Sequence, residues 1–395
     1  MTSPLEGIRV VDVTVSLAGP YCTQLLGALG ADVIKVERPE GGDETRAWGV
    51  GGESPLFIAA NANKRSIALD LSGDSGRDVL LRLADGADVF VQSLRPGLAE
   101  RRGLGAADLR ARNPGLVYCS IGAFGREGPL RDQPGYDPLV QAVSGIMSVT
   151  GEPDRAPVRV GVSLVDQVTA LWAMLGILLA LGERERNGHG CVIDVSLYEA
   201  AVSLMPYHLI DHLRTGAVAG RHGTAFPLIA PYEAFKTADG RLMIAAGNNR
   251  LFGRLCEALG LPELAQDERF ASNPARIAHR EELRHLLERR LREDPSAAWL
   301  ERFAAAGVPA GPVNDVAEVA AHEQTRALGL IEEVNGEALV SSPLSLDQIR
   351  LHHRSAPPRL GEHSAEILTE AGYGEGEVAE LSAAGVVALG NRPAR

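Results

Sequence analysis

Residues 8–36 read IRVVDVTVSLAGPYCTQLLGALGADVIKV, and this stretch decides the fold class. A β-branched run over 8–12 is followed by a turn at Ala18-Gly19-Pro20, a helical pattern, and a second strand over 32–36. Two strands joined through a helix within about thirty residues form a βαβ unit and therefore run parallel. Pro20 suits the first helical turn, where its missing N–H is no loss, and Gly30 suits the residue that ends the helix. Further out, strands over 66–71, 89–92 and 116–121 alternate with a helix over 77–84. That alternation predicts a doubly wound α/β domain.

From 163 to 186 the pattern becomes one long helix, apolar on nearly all sides, which is expected inside a core. A strand over 192–195 follows, with another helix starting near Leu197. Residues 215–231 (TGAVAGRHGTAFPLIAP) are rich in Gly, Ala and Pro without periodicity and read as a linker. Beyond them, a hairpin over 232–246 and helices to about residue 306 form a smaller α+β unit. GVPAGPVN, from Gly307, reads as a second linker.

The chain has 395 residues, 39 basic and 51 acidic, for a net charge of −12. A polyanion such as nucleic acid needs a basic stripe, so it is not expected as a partner. The N-terminus shows no basic and apolar leader pattern, so no secretory signal is expected. The longest uninterrupted apolar run, 170–181, falls short of the ~20 residues of a membrane span. A cytoplasmic location away from membranes is therefore expected. Cys22, Cys119, Cys191 and Cys256 form no CxxC pair and read as reduced, buried thiols. His208 and His212 stand four apart on a helix, a spacing that can seat a metal, but no third ligand accompanies them and no metal is expected.

The first βα turn is where a doubly wound sheet binds nucleotides. Ser16-Leu17-Ala18-Gly19-Pro20 offers one glycine before proline, which argues against a dinucleotide even though Glu37 stands where a ribose-binding acid would. Arg38 can grip a phosphate. Lys64-Arg65, Arg95 and Arg101-Arg102 recur at later loops and hint at a ligand with several phosphates. Ser163-Leu164-Val165-Asp166 fits a capping box at the start of the long helix.

The run PLEGIRVVDVTVSLAGPYCTQLLGALGADVIKVERPEGGDETRAWG closely resembles the opening of family III CoA-transferases, relatives of formyl-CoA transferase and carnitine CoA-transferase. The likeness continues through NANKRSIALDL, RPGLAERRGL, NPGLVYCSIGAFGREGP, GYDPLVQAVSGIMSVTG, RVGVSLVDQVTALWAMLGILLAL, GVPAGPVNDV and PPRLGEHSAEIL. It implies a Rossmann-like large domain built from both termini, a smaller central domain, and two chains interlocked as a homodimer. The division is then 1–214 and 329–395 for the large CoA-binding domain, 232–306 for the small one, and linkers over 215–231 and 307–328. Coenzyme A and acyl-CoA would be substrates rather than prosthetic groups, with small carboxylic acids as the other reactants.

The resemblance also implies roles. Asp166 would be the nucleophile; a carboxylate with an ordinary pKa of ~3.9 is ionised at neutral pH and needs no base. It would attack the thioester to give an anhydride and then carry CoA as an aspartyl thioester. Leu17 and Ala18 would meet adenine and ribose, and Arg38 and Arg101 the phosphates. Leu69, Asp70, Leu71 and Ser72, with Ser93, Leu94 and Arg95, would line the nucleotide; Tyr136 would lie along the pantetheine or acyl group. Backbone N–H groups at Gly247 and Asn248 could serve the oxyanion. Trp48 matches the family pattern, and core packing is its simpler explanation. Two alternatives stay open: an α-methylacyl-CoA racemase and a non-catalytic acyl-CoA-binding protein. Racemases carry His-Asp where this chain has Tyr136-Asp137, and an acid where it has Asn248-Asn249, so both acid–base groups are missing. Formyl-CoA transferases have Gln at the position of Leu17, which argues against formyl and oxalyl donors here.

Overall fold

A computed structural model describes residues 3–49 and 54–390. Six parallel strands, β1 (Arg9–Val13), β2 (Asp32–Glu37), β3 (Lys64–Leu69), β4 (Val89–Gln92), β5 (Val117–Gly122) and β6 (Val192–Ser196), lie in the order 3-2-1-4-5-6. Val387–Ala388 adds a seventh strand, antiparallel, on the far side of β3. Growth of the sheet reverses between β1 and β4, so the doubly wound switch point lies there. Helices cover both faces, which is why the strands read as continuous apolar runs. Alternate residues serve the two cores: Val11, Ile34 and Phe90 face one side, Val10, Val33 and Val89 the other. Gly30, at φ +110, ends the helix Ala18–Ala28.

The long helix runs Leu164–Asn187. Ala170, Ala173, Ile177 and Leu181 pack into the second core. Leu171, Trp172, Leu175 and Leu179 do not, and Leu179 is 66% exposed, so the expectation of burial all round is corrected. By length and composition alone this helix could cross a membrane; a core helix passes the same test. Cys22, Cys119 and Cys256 are buried, whereas Cys191 is exposed, a second correction.

Buried charges underlie the first βα turn. Lys64 bonds Asp12 at 3.0 Å and Lys35 bonds Asp43 at 2.8 Å, all four side chains without solvent exposure. Burial by itself would raise Asp12, but Lys64, Lys35 and the hydroxyls of Thr14 and Thr23 hold it down at about 2. Arg65 pairs with Asp32, Glu366 and Glu370. Lys64 and Arg65 are thus structural cations, not the ligand-binding pair that their place at a strand end suggested.

The described residues fall into two compact units. The first comprises the chain through Ile146, then Val160–Ile210, then the part from Gln324 onward; the second is Met147–Arg159 with Asp211–Glu323. Within the second, strands Tyr232–Lys236, Arg241–Ala245 and Ala310–Pro312 form an antiparallel sheet beside a core of Phe235, Phe252, Trp299 and Phe303. Three expectations are revised. Residues 147–159 leave the first unit, because Arg221 donates to the carbonyls of Glu152, Pro153 and Arg155, and Gly223 N–H bonds Gly151. Those bonds, with Ala230 N–H on Asn273, make 215–231 part of the second unit rather than a free linker. Residues 310–312 of the second supposed linker form that unit's edge strand.

Candidate active site at the switch point

The residues after β1, β4 and β5 enclose a cavity of about 370 Å3. Val15, Ser16, Ala18 and Gly19 form one wall, Ser93, Leu94, Arg95 and Pro96 another, and Ile121, Gly122 and Ala123 the floor. Tyr136 and Asp166 complete it. This is the crevice at the carboxyl ends of the strands where an open α/β sheet binds ligands. The first turn is shaped for close approach: a Cβ on Gly19 would come within 2.3 Å of Thr14 Cβ. Ser16 takes a left-handed φ of +70, an uncommon conformation for a residue other than glycine.

Asp166 sits in the first turn of the long helix rather than ahead of it. The capping box is not formed, since Ser163 makes no side-chain cap bond. Asp137 caps the helix from outside instead. Its Oδ2 accepts from Val165 N–H at 2.8 Å and Asp166 N–H at 3.3 Å, while its Oδ1 accepts from Gln141 Nε2 at 2.6 Å. Gln141 Oε1 in turn accepts from Val160 N–H at 2.8 Å. The helix dipole would favour an ionised Asp166. Burial, and then the negative charge of Asp137, outweigh it and push the carboxyl up to about 7. Asp166 is therefore harder to ionise than the ordinary carboxylate value of ~3.9 implies.

Ala18, Ser93, Leu94, Arg95, Tyr136 and Asp166 are thus brought together. Tyr136 is exposed, and its hydroxyl meets Glu44 Oε1 at 3.3 Å, whose charge raises the phenol. Leu17 faces a different, mainly apolar cavity with Tyr21 and Leu56. Leu69 is a core residue. Asp70 folds back on Ser72, and Leu71 gives its carbonyl to Arg102 at 2.5 Å. Arg38 spends two donors on the Gly42 carbonyl, both at 3.2 Å. The guanidinium groups of Arg95 and Arg101 have no hydrogen-bond or ion-pair partner among the described residues; only their backbones are bonded. Trp48 is 45% exposed, so core packing does not explain it. No group of three or more metal-ligating side chains occurs among the described residues, His208 and His212 included.

In the second unit, Asn248 Oδ1 caps the helix Asn249–Leu259 through Leu251 N–H, at 2.8 Å. Buried Arg276 supports the loop from behind, donating to the Gly247 carbonyl and Asn249 Oδ1. A side chain at Gly247 would strike Ile229. Glu44, Asp137 and Gln141 were missed from the sequence. Only Asp137 carried a signal, an acid just before proline at a helix start.

The model of CoA-transferase family III matches residues 5–364. Succinyl-CoA:glutarate CoA-transferase of Mus musculus is 40% identical over 97% of this chain and 90% of its own length. Acetyl-CoA:oxalate CoA-transferase of Acetobacter aceti is 39% identical over 93% of this chain and 95% of its own. The crystal structure of a CAIB/BAIF family protein from Brucella suis superposes with a TM-score of 0.86 at 41% identity, covering 94% of this chain and all of that one. The chain belongs to CoA-transferase family III and is an enzyme of that family.

Proposed function

We propose that the chain moves CoA from an acyl-CoA to a carboxylic acid through a covalent aspartyl-CoA thioester on Asp166. The observation that carries this reading is the Asp166 carboxyl lining the switch-point cavity. A carboxylate oxygen of Asp166 attacks the acyl carbonyl; the C–S bond breaks, leaving an anhydride and CoA thiolate. The thiolate then attacks the aspartyl carbonyl, the anhydride C–O bond breaks, and the donor acid departs as its carboxylate. The acceptor carboxylate runs the same two steps in reverse. Developing oxyanions call for hydrogen-bond donors aimed at them. Arg95, Arg101 and the remaining donors of Arg38 suit the CoA phosphates, since none is bound to a carboxylate among the described residues.

The acids are taken to be small dicarboxylates, because relatives are named for succinate, glutarate and oxalate. Oxalate is included despite Leu17, because that side chain faces a cavity other than the one holding Asp166. An interlocked homodimer in the cytoplasm is part of this reading; the exposed apolar face of the long helix supports the association of two chains. Sedimentation of the purified chain as a monomer would remove the dimer.

Intact-mass analysis after incubation with succinyl-CoA tests the mechanism. A CoA-sized, hydroxylamine-labile adduct that is absent in Asp166→Ala is expected; turnover by Asp166→Ala would overturn the assignment. A carboxyl near pKa 7 also suits a general base, which keeps the racemase alternative alive. Deuterium entering the α carbon without acyl exchange would favour it.

A further inference from the structure

Asp137 is buried, yet among the described residues no cation is bound to it; both carboxylate oxygens are taken up by neutral donors. One of those donors is the backbone N–H of Asp166 itself. A helix cap needs only an acceptor oxygen, which Ser, Thr or Asn supplies as well as Asp. The charge therefore goes beyond what capping requires.

We propose that Asp137 is a positioning residue that acts on the thioester through Asp166: it pins the first turn of the long helix at the cavity wall and sets a second negative charge beside the nucleophile. This inference rests on the reading of Asp166 as nucleophile. In the free enzyme the two acids repel. Loading replaces the Asp166 carboxylate by a neutral thioester, and the negative charge leaves with the donor acid. The repulsion is present before the reaction and absent after it, so it favours the loaded state and the transition state leading there. Gln141 holds the arrangement by bonding Asp137 with its amide N–H and Val160 with its carbonyl.

The other ionisable groups in the cavity wall are Glu44 and Arg95, with Tyr136 bonded to Glu44. They come from the segment after β2, the loop after β4, and the residue just before Asp137. None of them changes in the test below.

The test follows the rate of adduct formation with succinyl-CoA against pH in the full chain. For Asp137→Asn, which keeps a capping oxygen, the acid limb should move down by about one pH unit or more. Asp137→Glu, which keeps the charge, should leave the limb within about half that shift. A merely structural role would lower the amplitude at every pH and leave the midpoint in place; an unmoved midpoint in Asp137→Asn overturns the proposal. Should neither variant fold, carbon-13 titration of aspartate carboxyls in the unaltered chain decides, with Asp166 assigned by its loss in Asp166→Asn. Two coupled steps support the proposal, and a single step in the ordinary carboxylate range overturns it. If the adduct forms equally well in Asp166→Ala, the nucleophile reading has failed; if it needs Asp166 but not the charge at 137, only the present proposal has.

Discussion

Two sets of acids in the first unit are treated in opposite ways. Beneath the first βα turn, Asp12 and Asp43 are fully buried and each meets a lysine ammonium. At the start of the long helix, Asp137 accepts from neutral donors beside Asp166, and among the described residues no cation is bound to either. The first arrangement neutralises charge so that the scaffold keeps its shape. In the second, a carboxyl is left in an unfavourable setting, which on the proposed chemistry is relieved when CoA is loaded. Burial raises both carboxyls; at Asp12 the lysines and hydroxyls override it and hold the pKa at about 2, whereas at Asp166 the charge of Asp137 adds to it and the pKa reaches about 7.

The largest effect is expected where that contrast is broken on the scaffold side. Lys64→Met leaves Asp12 buried without its nearest cation, and loss of one member of a buried pair costs about 3–5 kcal/mol. Chemical denaturation should show a large drop in midpoint, or no soluble protein.

Next in size is the pH dependence of stability. Asp12 lies below its unfolded value, so its contribution is full above about pH 4 and is lost as pH falls towards 2. Asp166 lies above its unfolded value, so folding is penalised increasingly as pH rises from about 4 to about 7. Asp166→Asn should accordingly raise Tm by a few degrees at pH 8 and change it little at pH 4. An equal change at both would show that Asp166 carries no such penalty.

A smaller effect is expected for CoA binding. Arg95→Gln should raise KM for acyl-CoA several-fold while kcat changes little, if its guanidinium serves a phosphate. The smallest is Arg65→Gln, which removes a partly exposed network and should alter stability by about 1 kcal/mol or less.

The sheet was legible because β1, β2, β4 and β6 are short β-branched runs and the helix pattern between strands is equally local, whereas β3, with Ile67 its only β-branched residue, starts at Lys64 rather than at 66. That Asp166 lines the switch-point cavity was to be expected only through resemblance; spacing alone favoured a capping box that does not form. Its true cap, Asp137, comes from another helix, and a pairing across that distance leaves no pattern in neighbouring residues. The charged residues show the same limit. Lys64 and Arg95 both stand at loops in the sequence, yet one is sealed in the core and the other lines the cavity. What separates them is the partner that the fold supplies, an aspartate from β1 for Lys64.

The antiparallel pairing of Val387–Ala388 with β3 also bears on how the molecule is made. During synthesis, the flank of the sheet beside Ile67 and Leu69 has to wait for Val387 and Ala388, which are made long after β3 itself. Until then its amides and carbonyls are open to any other extended chain. A polypeptide stopped short of Val387 keeps every group of the cavity but carries an unsealed border, and self-association rather than lost chemistry is the defect to expect of it.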